Sequence, residues 1–112
     1  MSKHMQLTVA VRPYYLNGMD KTYPRLARHL GYLAPELAAK NPSLYELTGE
    51  LDRLLFMFEG TKLREVLLRH RETLKQAHEK IQDNISNWNL SAADRGLYQL
   101  EDIFDEVEAE LS

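Results

Sequence analysis

Apolar residues recur at helical spacing over most of the chain after Pro24. Intervals of three and four residues place such side chains on one face of a helix. The pattern predicts four helices, over residues 24–40, 43–59, 62–86 and 91–111. The last of these has the most regular spacing, with apolar residues at Leu97, Leu100, Phe104, Val107 and Leu111.

Local signals mark the starts and breaks of these helices. Pro35 lies inside the first one, where its ring collides with a backbone carbonyl one turn earlier, so we expect a break near residues 33 and 34. Ser43 and Glu46 have the spacing of a capping box, which predicts a helix start at residue 43. Thr61 and the segment 91–94 supply the capping residues of the last two helices.

The N-terminal segment has a different period. Leu7, Val9 and Val11 alternate with more polar residues over 6–12, as in a half-buried strand, and Pro13 ends the pattern. A single strand needs a partner, so we expect either a strand paired with a second copy or an extended arm laid on the helices. Residues 14–23 are rich in turn formers and predict a loop. Residues 1–5 are interpreted as a cloning remnant together with a native start at Met5.

Short turns between the predicted helices favour antiparallel neighbours. We therefore expect a mostly α fold, a single domain over 6–112 that resembles a four-helix, up-down bundle. Its last two helices would form a long antiparallel hairpin, and residues 6–23 a short extended or β arm with its loop.

The second predicted helix is apolar on two faces. Residues 54–58 are all large and apolar, and helical geometry points Phe56 and Tyr45 away from the stripe that faces the core. Either this helix is central and fully buried, or its back face meets a partner or a second copy. We expect a homodimer through Tyr45, Phe56 and Met57, with Val9 and Val11 adding contacts.

Tyrosines cluster around the first connector, at Tyr14, Tyr15, Tyr23 and Tyr32. Tyrosine is favoured at protein interfaces because it offers contact area with little rotamer entropy to lose. Tyrosines of loops also pack over their own domain. Both interpretations stay open from the sequence.

The formal charge of −3 over 112 residues is unevenly distributed. Residues 1–80 carry a net +4 and residues 81–112 a net −7. If the last turn is centred near residue 87, position i of the third helix lies beside roughly 174 minus i of the fourth. That register predicts ion pairs that align the hairpin: Arg64 with Glu110, Arg69 with Asp105, Arg71 with Asp102 and Glu106, and Lys75 with Glu101.

Two further interpretations of the charges remain. The acidic last helix, with Asp102, Asp105 and Glu106, is a candidate surface for a basic protein partner. Nucleic-acid binding is the alternative function, through the basic side chains of the third helix: Arg64, Arg69, Arg71 and Lys75. Acidic residues interrupt that basic helix and no aromatic residues interleave with it, so nucleic acid is the less favoured partner.

The sequence offers no set of residues typical of catalysis or metal binding. It has no cysteine, which excludes disulfides and thiolate metal sites. His70 lies in an apolar series with Val66 and Leu74 one turn away, so no second ligand is at helical spacing and we interpret it as a packing residue. We predict no catalytic residue, cofactor or metal. No run of roughly 18 apolar residues predicts a membrane span.

These features predict a cytoplasmic, non-enzymatic protein-interaction module. Its size, acidity and helical pattern are typical of small adaptors, chaperone-like factors and acidic inhibitors of the immunity type. No motif selects among these classes.

Overall fold

Helices account for most of the chain in the computed structural model, which describes residues 9–15 and 17–111. The described part contains eight helices and no strand. In chain order they are α1 (Met19–Thr22), α2 (Pro24–Leu33), α3 (Pro35–Ala39), α4 (Leu44–Gly49), α5 (Leu51–Met57), α6 (Lys62–Arg69), α7 (Arg71–Ser86) and α8 (Leu90–Glu110).

Three of the four predicted helices are divided in two. The break between α2 and α3 lies at Ala34, next to Pro35, and confirms the expected effect of that proline. Two other breaks were not predicted, because Glu50 and His70 leave the helical region of backbone conformation with ψ angles of 17° and 6°. Gly49 directly precedes the break at Glu50, whereas no proline or glycine flanks His70.

Side-chain caps fix two of the helix starts. The Ser43 hydroxyl accepts a hydrogen bond from the backbone N–H of Glu46 at 3.1 Å, and Thr61 accepts one from Arg64 at 3.3 Å, so both predicted caps are confirmed. The predicted cap at 91–94 is wrong. Helix α8 begins at Leu90, after Asn89, and its N-terminus has no side-chain cap.

The N-terminal segment forms no strand within the described chain, and the pairing with a second copy stays a prediction. Residues 9–15 form neither helix nor strand, and the part of the predicted strand before Val9 lies outside the described residues, as do residues 1–5. Val9 is exposed and Val11 is half-buried. Without a partner strand in the described chain, the backbone of this segment has no ladder to join, and alternation over so few residues does not create one.

Part of the predicted loop is helical. Helix α1 starts after Gly18, and the backbone N–H of Met19 donates to Asn41 Oδ1 at 2.7 Å. Met19 itself is almost completely buried. A side chain 22 residues away thus supplies the cap, which is why local sequence patterns did not predict this turn of helix.

Helices α7 and α8 make the most extensive helix–helix contact in the described chain. Gly96 of α8 packs against Ile81 of α7 so closely that a Cβ at position 96 would lie 2.7 Å from Ile81 Cγ1. Near the other end of the pair, His70 contacts Glu110. The buried core extends from these helices through α6, α5 and α2, and its fully buried side chains include Leu26, Leu30, Phe58, Leu63, Val66, Leu74, Leu100, Phe104 and Val107.

Candidate functional site

The outward face of α5 carries the most exposed apolar side chain of any helix in the described chain. Leu54, Leu55 and Phe58 are buried, whereas the ring of Phe56 is 82% exposed. Consecutive positions on a helix point about 100° apart, so an apolar residue between inward-facing positions is directed to solvent. A large exposed apolar ring makes this face of α5 a candidate contact surface.

The groove that we call the groove beside Phe56 is lined by Met57, the next residue in the chain, and not by Phe56 itself. It has a volume of about 330 Å³ and separates the α2–α3 junction from α5. Its apolar wall is formed by Leu33, Leu37, Leu54 and Met57, and the half-buried Met57 is the neighbour of Phe56 in the chain. Four charged residues rim the groove, two of each sign: Glu36, Lys40, Glu50 and Arg53.

Tyr45 does not belong to this surface. Its ring stacks on the imidazole of His78, with centroids 4.4 Å apart and planes inclined by 15°. The prediction that Tyr45 and Phe56 share one face assumed a continuous helix over 43–59. The helix breaks at Glu50, so the regular rotation of a continuous helix no longer relates the directions of the two side chains. Tyr45 instead lies toward α7.

A second cleft, which we call the tyrosine cleft, lies between the N-terminal segment, α4 and α8. Its volume is about 490 Å³. Five of the six tyrosines of the chain line it, namely Tyr14, Tyr15, Tyr23, Tyr45 and Tyr98. The sequence grouped only the first three of these, since Tyr45 and Tyr98 join them solely through the tertiary fold.

Hydrogen bonds hold two of these rings. The Tyr15 hydroxyl donates to the carbonyl oxygen of Pro42 at 2.6 Å, and the Tyr23 hydroxyl donates to Asp105 Oδ1 at 3.1 Å. The two rings meet edge to face, with centroids 6.5 Å apart. Burial, followed by the charges of nearby carboxylates, raises the pKa of Tyr15 to about 12. Burial and Asp105 raise the pKa of Tyr23 further, so both phenols remain neutral donors.

The three acidic residues predicted as an interface lie on the exposed side of α8. Asp105 is engaged by Tyr23, and Glu106 lies 3.9 Å from Nδ1 of His70. Asp102 is exposed and forms no ion pair with a described residue. None of the three lines the groove beside Phe56, so the structure does not bring the two halves of the predicted interface together.

His70 is a junction residue between α6 and α7. Its side chain is 14% exposed, and Nε2 lies 2.6 Å from Glu110 Oε2. The carboxylate partner comes from the end of α8, 40 positions along the chain, and therefore could not be predicted from helical spacing. This contact ties the α6–α7 junction to the C-terminal turn.

None of the predicted ion pairs between the third and fourth helices is present among the described residues. Arg71 and Lys75 instead pair with Asp52 of α5, and the Lys75 Nζ–Asp52 Oδ2 distance is 2.8 Å. Arg69 does reach α8, but at Glu110 (3.9 Å) rather than Asp105. The Arg64 guanidinium donates to the carbonyl oxygen of Leu55 at 2.9 Å.

The reason lies in the register of α7 and α8. Residue numbers of contacting pairs add to 177 for Ile81 with Gly96 and 180 for His70 with Glu110, whereas the predicted register required roughly 174. The turn is thus centred later than predicted, near Trp88, which has a positive φ of 58°. This shift moves Arg71 and Lys75 of α7 past their expected partners. Arg64 and Arg69 lie on α6, and the break at His70 separates them from the register of α7.

The same contacts bear on nucleic-acid binding. Each of the four basic candidates, Arg64, Arg69, Arg71 and Lys75, is engaged by a carboxylate or a backbone carbonyl. A phosphate would have to displace these partners. The geometry thus gives no support to a preformed basic surface on α6 and α7.

No helix among the described residues combines the length and the hydropathy needed to cross a bilayer. Over the same residues, no group of three or more histidine or acidic side chains is placed to hold a metal ion. Comparisons of the chain with protein-family models, curated proteins and solved structures give no match. Function is therefore argued from the groove beside Phe56 and the tyrosine cleft.

Proposed function

We propose that the chain is a non-enzymatic protein-interaction module that forms a homodimer through the exposed face of α5. The observation that carries the proposal is the 82% exposure of Phe56 beside an apolar groove. In a symmetric dimer, Phe56 of each copy would enter the groove of the other. A projecting ring next to a recess is what a two-fold contact requires, because each copy must supply both halves.

The charges around the groove favour a second copy as the occupant. Glu36 and Glu50 are balanced by Lys40 and Arg53, so the rim has no net charge. When two copies of the chain face each other, the acidic residues of one rim can lie opposite the basic residues of the other. A strongly acidic or basic partner would gain no electrostatic attraction from this surface.

The expected dimer is weak. Complete burial of one phenylalanine contributes about 1.5–3 kcal/mol, so two contribute about 3–6 kcal/mol. Met57 and Leu33 add apolar area, and the loss of translational and rotational freedom opposes association. The balance of these opposing magnitudes is small, so we expect a weak dimer that is populated only at high protein concentration.

Sedimentation equilibrium of the full chain, up to about 1 mM, tests the proposal. We expect a concentration-dependent dimer for the wild type and a monomer for Phe56→Asp. Tyr98→Asp is the matched control, because it introduces the same charge at an exposed aromatic residue outside the groove. A wild-type protein that stays monomeric at the highest concentration, or a Phe56→Asp protein that still dimerises, overturns the proposal.

A further inference from the structure

The tyrosine cleft is chemically unlike the groove beside Phe56. The groove rim is neutral, whereas two carboxylates of α8, Asp94 and Glu101, line the tyrosine cleft. Neither forms an ion pair with a described residue. The two surfaces therefore suit different occupants, and the inference drawn for the cleft does not depend on the dimer.

The aromatic rings of the cleft fall into a fixed set and a free set. Tyr15 and Tyr23 are held by hydrogen bonds, and Tyr45 is held by stacking on His78. Tyr14 and Tyr98 are 91% and 62% exposed, and their hydroxyls have no hydrogen-bond partner among the described residues. The held tyrosines form a rigid frame around the two accessible rings. A ligand that contacts these rings therefore causes little loss of conformational entropy in the protein.

The charge of the cleft selects a cation. Besides Asp94 and Glu101 on its wall, Asp105 lies behind Tyr23, and Asp102 is next to Glu101 in the chain. The faces of tyrosine rings attract cations through their quadrupole, and carboxylates attract them through charge. Burial, followed by the charges of the neighbouring carboxylates, raises the pKa of Glu101.

We propose that the tyrosine cleft binds an arginine side chain presented by a basic segment of a partner protein. A guanidinium group is planar, so it can stack on Tyr98 or Tyr14 while it donates hydrogen bonds to Glu101. An ammonium group lacks the planar surface and gains less from the stacked arrangement. Arginine therefore fits both features of the cleft.

A peptide segment fits better than an isolated small cation because the acidic surface continues beyond the cleft. Asp102 and Glu106 extend along the exposed side of α8. Neighbouring basic residues of a bound segment would face these carboxylates. A free cation would use the cleft alone and forgo this additional attraction.

Arg12 also lines the cleft, and its removal tests whether the cleft attracts cations. It is exposed and forms no ion pair with a described residue, so its charge repels an arriving cation. Removing it should strengthen binding. Arg28 is an exposed arginine outside the cleft, and Arg28→Ser changes the net charge by the same amount.

The experiment measures fluorescence anisotropy of a labelled nonapeptide of alternating arginine and serine, at low and at physiological salt, with the full chain. Peptides with lysine or glutamine in place of arginine are compared. We expect Tyr98→Ala and Glu101→Gln each to weaken binding of the arginine peptide by about five- to tenfold. We expect Arg12→Ser to tighten it by about threefold and Arg28→Ser to change it by less than about twofold.

The variants alter exposed side chains, and circular dichroism checks that each remains folded. Phe56→Asp serves as a further control and should bind the arginine peptide like the wild type. The proposal is overturned if Tyr98→Ala and Glu101→Gln bind as the wild type does, or if Arg12→Ser and Arg28→Ser tighten binding equally. Equal affinity for the lysine peptide contradicts the choice of arginine and leaves only attraction by net charge.

Discussion

Glu108 Oε1 accepts a hydrogen bond from the backbone N–H of Leu26 at 2.9 Å, across 82 positions of sequence. Its other oxygen, Oε2, accepts one from the N–H of Arg25 at 3.0 Å. Helix α2 begins with Pro24 and has no side-chain cap of its own. A carboxylate near the end of α8 thus satisfies backbone donors that the first turn of α2 leaves free, and its charge suits the positive end of the helix dipole.

Removal of this carboxylate should destabilise the fold. We expect Glu108→Ala to lower the free energy of unfolding by about 1–2 kcal/mol, the range of a lost helix cap. Glu108→Gln keeps an acceptor but not the charge, so its loss should be smaller. Urea unfolding followed by circular dichroism measures both.

Glu59→Ala is the control, because Glu59 is exposed and forms no ion pair with a described residue. It should change stability by less than about 0.5 kcal/mol. Equal losses for Glu108→Ala and Glu59→Ala would show that the long-range cap contributes nothing.

Gly96 should be intolerant of alanine although it lies inside a helix. Helix propensity alone predicts that Gly96→Ala stabilises α8 by about 1 kcal/mol. The added Cβ would, however, lie 2.7 Å from Ile81 Cγ1, a fully buried atom close to its own backbone. Overpacking of this kind costs about 1–3 kcal/mol, so we expect a net loss of stability in urea unfolding.

Gly31 provides the opposite case within the same chain. A Cβ at Gly31 of α2 would meet no atom within 4 Å, so Gly31→Ala should stabilise the protein by up to about 1 kcal/mol. In an Ile81→Ala background, Gly96→Ala should lose most of its cost. A stabilising Gly96→Ala in the wild-type background would contradict the close approach of α7 and α8.

The features that the sequence predicted well are local ones. The break at Pro35 and the caps by Ser43 and Thr61 depend on residues within one helical turn, and the structure confirms them. The helical class likewise follows from spacing alone. The breaks at Glu50 and His70 were missed because the spacing of apolar residues continues across both positions, so periodicity alone does not reveal them.

Errors in the candidate site trace back to those missed features. The break at Glu50 separated Tyr45 from Phe56, and the later centre of the α7–α8 turn displaced the predicted ion pairs of Arg71 and Lys75. The exposure of Phe56 was foreseen as one of two alternatives. The tyrosine cleft was not foreseen, since Tyr98 is joined to Tyr14 only when α8 packs beside the N-terminal segment.

His78 should make stability depend on pH. Burial lowers the pKa of His78, so the folded protein disfavours its protonated form. The unfolded chain then binds more protons than the folded protein as the pH falls below about 6.5, and the free energy of unfolding decreases. The stabilisation that comes from the lowered pKa of His78 is fully present only above that pH.

His78→Phe isolates this contribution, because phenylalanine can still stack on Tyr45 but does not titrate. We expect urea unfolding to show a flatter profile for the variant between about pH 7 and pH 5. Contributions from other titratable groups are common to both proteins and cancel in the difference. Parallel profiles for the two proteins would contradict the prediction.

Glu101 should be a residue whose charge costs stability. Burial, and then the charges of Asp105, Asp102 and Asp94, raise its pKa, and Asp105 lies one helical turn away. A like-charged pair at this spacing destabilises a helix by about 0.2–0.5 kcal/mol. We therefore expect Glu101→Gln to increase the free energy of unfolding at pH 7 by about that amount.

The sign of the pH dependence gives this prediction a second readout. A carboxyl whose pKa is raised on folding reduces stability at high pH, and the penalty disappears as the pH falls through its unfolded value near 4.5. Thermal unfolding of the wild type and Glu101→Gln should thus differ at pH 7 and converge near pH 4. A less stable Glu101→Gln at pH 7 would mean that the charge is already compensated within the fold. If Glu101→Gln is more stable than the wild type but no longer binds the arginine peptide, the charge of Glu101 serves ligand binding and lowers the stability of the free protein.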